Sequence, residues 1–117
     1  MKEALLDTNF ILTCVRQKID FFEELFLKGI KIIIPEQVIM EIKKFEKKKS
    51  EAKISLVLIK DNEIEYVNLG KGKVDDLIVD YAKKNPETII ATLDRGIHKK
   101  IKNKKMIIRN RNKLEVI

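Results

Sequence analysis

Short apolar blocks, rich in β-branched residues and unbroken by polar alternation, punctuate this chain and constrain its fold more than any other feature. They are ALL (4–6), KIIIP (31–35), IEYVNL (64–69), TIIATL (88–93) and KMIIR (105–109), and each ends at a turn or charged position. A strand with one face in water alternates apolar and polar residues, whereas a strand covered on both faces has no need to. Segments of helical period run between the blocks. TNFILTCVRQKIDFFEELFLKG is expected to break into two helices near residues 18–20, with Gly29 closing the second. PEQVIMEIKKFEKKK opens with Pro35 at a first helical position, and SEAKISLVLIKDN with Ser50 as an N-cap. VDDLIVDYAKKN, ending at Asn85 and Pro86, and the basic RGIHKKIKN complete the set. Strands alternating with helices predict a three-layer α/β/α fold around a mainly parallel sheet. The tail NKLEVI (112–117) is expected to add one more edge strand.

At 117 residues the chain reads as a single domain, residues 1–117, with one hydrophobic core. A composition 44% hydrophobic and 37% charged excludes a disordered segment. Lys and Arg number 25 against 18 Asp and Glu, and the formal charge of +7 favours a polyanionic partner, nucleic acid first. A solvated Lys-rich surface accounts for the same count. Cys14 is the only cysteine, so neither an internal disulfide nor a cysteine zinc cluster is available. Within FILTCV it reads as a small buried hydrophobe. No apolar run approaches the ~18 residues of a membrane span. The N-terminus shows no secretory pattern, so a cytoplasmic location is expected. His98, the only histidine, lies in the basic stretch GIHKKIK and is expected to face solvent.

In an open parallel sheet, ligands bind beyond the carboxyl ends of the strands, where strand order reverses. Asp7 follows the first block and Asp94 follows TIIATL; each suits either that edge or the N-cap of the next helix. On the helix from Pro35, Val38, Ile42 and Phe45 form an apolar stripe, and Glu41 shares its inward side. A carboxylate there needs a partner or a cation, unless it reaches solvent to pair with Lys43 or Lys44. Asp75 is spaced to share the buried side of its helix with Ile78, Val79 and Ala82, whereas Asp76 falls in step with Asp80 and Lys83. Asp76 is therefore expected toward water or a cleft rim, and the helix dipole alone would favour both acids. Four carboxylates converging on one sheet edge repel one another and resist ionising. A hard divalent cation with oxygen ligands, Mg²⁺ or Mn²⁺, relieves that strain. A basic chain that gathers acids in one cleft suits a metal-dependent phosphodiesterase.

These segments resemble the PIN-domain nucleases. LLDTN is similar to the family's first motif, a strand ending in Asp followed by Thr or Ser and then Asn or a small residue. PEQVIMEI resembles the second, a helix entered after Pro and carrying Glu41. VDDLIVDYA resembles the third through Asp75, with Asp76 as its acidic neighbour. IIATLDRGIHKKIK resembles the fourth through Thr92 and Asp94, with no second acid directly beside Asp94. MIIRNRNKLEVI is similar to the closing segment of archaeal members near the small-subunit ribosomal RNA processing branch.

The resemblance covers essentially the whole chain and implies strand order 3-2-1-4-5 and an Mg²⁺- or Mn²⁺-dependent ribonuclease acting on single-stranded RNA. It implies Asp7, Glu41, Asp75 and Asp94 as catalytic metal ligands, with Thr8, Asn9, Asp76 and Thr92 in support. Lys43, Lys44, Arg95 and Lys99 are the expected phosphate contacts. Homodimers are common in that family, which ranges from VapC-type toxins held by an antitoxin to enzymes of ribosome assembly and RNA quality control. The alternatives are a catalytically silent PIN-like RNA-binding module and such a toxin. Phosphotransfer folds fit less well. A haloacid-type phosphatase needs Asp-x-Asp where this chain has DTN, and a receiver needs a phosphoacceptor Asp that IEYVNL does not offer.

Overall fold

The structure, a computed structural model, describes residues 2–117. In chain order the elements are β1 (Lys2–Leu6), α1 (Thr8–Arg16), α2 (Phe21–Leu27), β2 (Ile30–Pro35), α3 (Glu36–Lys44), α4 (Ser50–Asp61), β3 (Glu65–Val67), α5 (Val74–Lys84), β4 (Ile89–Ala91), α6 (Arg95–Lys100), β5 (Lys105–Arg109) and β6 (Lys113–Val116). The six strands form one sheet in the order β3-β2-β1-β4-β5-β6. Every neighbouring pair is parallel except β5 and β6. The expected order 3-2-1-4-5 is thus present, and the C-terminal tail extends it as an antiparallel edge strand.

The unbroken apolarity of β1, β2 and β4 has its physical cause in the two covered faces, whereas IEYVNL departs from that expectation: β3 is an edge strand with Glu65 and Tyr66 exposed. Successive side chains on a strand point to opposite sides. Ala4 and Leu6, Ile32 and Ile34, and Ile89 and Ala91 pack with Phe10, Cys14, Phe21, Leu25 and Val38 from α1, α2 and α3. Leu5, Ile33 and Ile90 pack the other way, against Ile78, Val79 and Ala82 of α5 and Ile97 of α6. The sheet therefore divides the core into two apolar layers. Phe10 meets Phe21 edge-on at 6.5 Å between ring centroids, which joins α1 to α2. The break between these helices falls where expected: Lys18 takes a left-handed φ of 59°, and Asp20 caps α2 by accepting from the Glu23 amide at 3.1 Å. Gly29, at φ 69°, turns the chain out of α2 into β2. Cys14 is buried, and loss of water pushes its thiol up to about 12, so it packs as a hydrophobe.

Several local expectations are corrected. Pro35 is not the first helical residue; it ends β2 and stands at the N-cap of α3 with extended backbone. Ser50 opens α4 as a helical residue, and Lys49 holds the N-cap position. Phe45 does not continue the buried stripe of Val38 and Ile42, because α3 ends at Lys44. Its ring is 37% exposed and lies under the Lys49 ammonium, 4.9 Å from the ring centre. Of FFEELF, Phe21, Phe22 and Leu25 enter the core, but Phe26 is 79% exposed. No helix among the described residues is long and apolar enough to cross a membrane.

Candidate active site

From β1 the chain crosses to β2 on one side, whereas β4 pairs with β1 on the other, so strand order reverses between β1 and β4. Asp7 stands at the carboxyl end of β1 in that gap. Its backbone amide donates to the Ala91 carbonyl at 2.9 Å, continuing the ladder to β4 one residue past the strand. Its side chain caps α1: Oδ1 accepts from the Thr8 amide at 2.8 Å, and Oδ2 accepts from the Thr92 hydroxyl at 2.8 Å. Only 5% of the residue is exposed. The cap thus holds the carboxylate at the strand-order reversal, so capping α1 does not take it away from that edge.

The other acids arrive on separate elements. Glu41, half-buried on α3, accepts the hydroxyl of buried Thr8, so it bonds back to the residue after Asp7 and not to Lys43 or Lys44. Asp94 follows β4 and caps α6, one carboxylate oxygen accepting from the amides of Gly96 at 2.7 Å and Ile97 at 3.2 Å. Asp75, in the first turn of α5, lies within hydrogen-bonding reach of Asp94. Asp75 does not share the burial of Ile78, Val79 and Ala82; it is exposed and lines a cleft, and full burial on α5 begins only at Ile78. The amides of Thr8, Gly96 and Ile97 are already occupied by Asp7 and Asp94, so these helix ends offer them to the chain's own acids before any phosphate.

The electrostatics record the crowding. Burial pushes the Asp7 carboxyl above its ordinary range; the bonds from Thr92 and Thr8 oppose this, and the charges of Asp75 and Glu41 add to it. Asp75 is raised by loss of water, by Asp94, by Glu41, by its contact with the Asp94 carboxyl and by Asp76. Two carboxyls in mutual contact need a shared proton or a cation between them. A donor set of only carboxylate oxygens, one of them buried, fits a hard divalent cation. Among the described residues no three His, Cys, Asp or Glu side chains stand closely enough together to hold a metal ion. Glu41 and Asp75 line one cleft, and Asp7 and Asp94 are not part of its lining.

Of the expected supporting residues, Thr8 and Thr92 are buried and bonded to the acids, whereas Asn9 and Asp76 are exposed at the rim. Lys44 lines a cleft shared with Glu41 and Asp75. Lys43, Arg95 and Lys99 are exposed on α3 and α6 and line no part of that cleft. His98 corrects the solvent-facing expectation: its Nε2 lies 2.7 Å from the Thr92 carbonyl. A carbonyl only accepts, so Nε2 carries the proton. The imidazole thus anchors the backbone of the residue whose hydroxyl holds Asp7 and accepts from the Asp94 amide at 3.1 Å. Gly96 is also structural here, since a Cβ at this position would meet the capping Asp94 oxygen at 3.0 Å. Sequence periodicity carries no signal for either role. Replacing His98 with Phe keeps a ring but leaves that carbonyl without its donor. A loss of about 1–3 kcal/mol in urea unfolding is expected; unchanged stability would show that the bond is not formed in solution.

The family described as a PIN like domain matches residues 4–113. The chain is 25% identical to Ribonuclease VapC4 of Methanocaldococcus jannaschii, over 99% of its own length and 97% of that protein's. Among solved structures it is similar to the PIN domain endonuclease Utp24, with a TM-score of 0.83 and 27% identity over 97% of this chain and 90% of that one. It also shares its fold with VapBC2 from Rickettsia felis, solved bound to a promoter DNA fragment, at a TM-score of 0.63 and 17% identity over 88% of this chain and 98% of that chain.

Proposed function

The chain belongs to the PIN-like domain family, and from that premise we propose that it is a cytoplasmic, single-domain ribonuclease that hydrolyses phosphodiester bonds of single-stranded RNA. The observation that carries this proposal is buried Asp7, held by Thr8 and Thr92 where strand order reverses and neighboured by Glu41, Asp75 and Asp94. Asp7, Asp75 and Asp94 would hold Mg²⁺ or Mn²⁺, and Glu41 the same or a second ion. When bound, such a cation supplies Lewis acidity and makes water more acidic.

The chain's own residues do the rest. The hydrogen bonds to Asp7 and Asp94 fix two carboxylates before substrate arrives, so little reorganisation accompanies the reaction. Thr8 ties Glu41 to the same frame. A carboxylate of this set takes a proton from the attacking water. A phosphorus–oxygen bond forms to that water and the bond to the 3′ oxygen breaks. The proton passes to the leaving oxygen, giving a 5′-phosphate and a 3′-hydroxyl. Exposed lysines and arginines, including Lys43, Lys44, Arg95 and Lys99, hold the backbone.

The likeness to the Utp24 endonuclease supports cleavage within a strand, and the resemblance of the closing segment to the ribosomal RNA processing branch favours a processing role in ribosome assembly. The likeness to Ribonuclease VapC4 supports ribonuclease activity, with a toxin held by an antitoxin as the second reading. The test is cleavage of a labelled unstructured RNA by purified protein with Mn²⁺, with Mg²⁺ and with EDTA. Cleavage is expected with the metals only, and Asp94→Asn is expected to lose it while retaining its circular dichroism spectrum. Metal-independent cleavage, or full activity of Asp94→Asn, overturns the site assignment. Mn²⁺ binding without cleavage points to the silent module.

A further inference from the structure

Beside the acids, α3 and the loop after β3 enclose a cleft of about 420 Å³, within the size range of small-ligand sites. Its far wall is Gly72, Lys73, Val74 and Asp75, where the segment NLGKGK (68–73) leads from β3 into α5. The loop is clamped. Gln37 of α3 donates to Asn68 Oδ1 at 3.0 Å and to the Gly70 carbonyl at 2.9 Å, and accepts from the Leu69 amide at 3.1 Å. Asn68 in turn donates to Glu36 at 2.9 Å, and its Oδ1 accepts from the Gly70 amide at 2.8 Å. Gly70 and Gly72 have φ of 96° and 139°, which side-chain-bearing residues rarely adopt. The chain thus holds a short basic loop in one shape against the helix that bears Glu41.

What lines the cleft decides what it can recognise. Lys44 and Lys73 supply positive charge on its two walls, Glu41 and Asp75 bring two of the acids into the same lining, and Met40 presents a thioether side chain in a residue that is 61% exposed. Gln37 is the neutral side-chain amide in the lining, and its donors and its oxygen are engaged by the clamp. No uncommitted amide is left to read a base edge. A polarisable apolar side chain flanked by two cations binds a base face and a phosphate without regard to base identity. A base already stacked in a helix cannot reach such a side chain.

Building on the proposed ribonuclease function, we infer that this cleft seats one unpaired nucleotide of the RNA next to the acids. Its base lies on Met40 and its phosphates lie between Lys44 and Lys73, with no sequence preference.

Fluorescence anisotropy in EDTA, with labelled oligouridylate, oligoadenylate and an RNA duplex as probes, tests this without cleavage. Lys44→Ala and Lys73→Ala should each weaken both single strands alike, by roughly tenfold, and lower the slope of log affinity against log salt by about one. Met40→Phe should tighten binding several-fold through aromatic stacking, a gain that misfolding cannot produce. Lys2→Ala, at the opposite end of β1, is the control and should bind as wild type. Wild-type affinity in both lysine variants, no gain in Met40→Phe, a strong preference between the two single strands, or equal affinity for duplex overturns the inference. Cleavage assayed in parallel separates the two proposals. Loss of binding in the lysine variants with no cleavage by wild type supports the cleft and sinks the nuclease. Cleavage that survives with unchanged binding does the reverse.

Discussion

Asp7→Asn is expected to lower metal-dependent RNA cleavage by a factor on the order of 10²–10³, the loss of several kcal/mol of charge stabilisation at one ligand. The same substitution has a thermodynamic signature that does not depend on activity. Both Asp7 oxygens accept, one from the Thr8 amide and one from the Thr92 hydroxyl. An amide offers one acceptor and one donor, so with its oxygen on the Thr8 amide its NH₂ faces the Thr92 hydroxyl, which must turn its own proton away and accept. The hydroxyl proton then loses its buried partner, at a cost of about 1–3 kcal/mol. Against it, removing a negative charge relieves the repulsion from Asp75 and Glu41.

The balance between these effects shifts with pH in a fixed direction. The Asp7 carboxyl is raised above its ordinary value of 3.8, so the metal-free folded chain keeps a proton that the unfolded chain has released. Stability from this group is therefore full below the ordinary carboxylate range and declines as pH rises through the raised value. Asn does not titrate. Melting temperature of Asp7→Asn minus that of wild type, both in EDTA, should increase as pH rises above the ordinary carboxylate value of 3.8. Added Mn²⁺ should raise the melting temperature of wild type and leave the variant largely unmoved, since a ligand that binds only the folded state stabilises it by mass action. A difference that stays flat with pH would show Asp7 to be an ordinary carboxylate. Equal Mn²⁺ stabilisation of both proteins would remove it from the site.

The same residues show how far sequence reasoning reaches. β1, β2 and β4 were legible because burial on both faces removes polar alternation from short β-branched runs, and the acids because each follows an apolar block or sits in step with one. β3 was found as a strand but not as the exposed edge it is. Asp75 and Phe45 were placed too deep for a common reason. Helical spacing reports direction around the axis, but not where the helix starts and stops against the sheet. At Phe45 the helix is over, and at Asp75 the first turn of α5 is still exposed, full burial beginning at Ile78. Gln37 and His98 were not legible at all. Each acts through a hydrogen bond to backbone or to a distant side chain, 31 residues apart for Gln37 and Asn68. Any donor of the right reach could have filled such a role, so no residue type or spacing announces it.

Thr92 belongs to both classes, which makes it the sharper test. It is fully buried at the end of β4, a position at which Val or Ile would satisfy every packing rule. Its hydroxyl instead donates to Asp7 and accepts the Asp94 amide, so one oxygen sets the spacing of two acids carried by different segments. Thr92→Val preserves shape and removes both bonds. It strands a buried carboxylate oxygen, at a cost of about 1–3 kcal/mol, and withdraws one of the two bonds that oppose the rise of the Asp7 carboxyl. Loss of a partner that orients a metal ligand lowers metal affinity or activity by roughly 10–100-fold. Thr92→Val should therefore need more Mn²⁺ to reach half-maximal cleavage and should unfold at lower urea. Thr92→Ser keeps the hydroxyl and gives up a methyl group, so it should recover most of the Mn²⁺ response while remaining less stable than wild type. If serine fails to restore the metal response, or if valine leaves it unchanged, the hydroxyl is only a strand-end hydrogen bond and Asp7 is held by its cap alone.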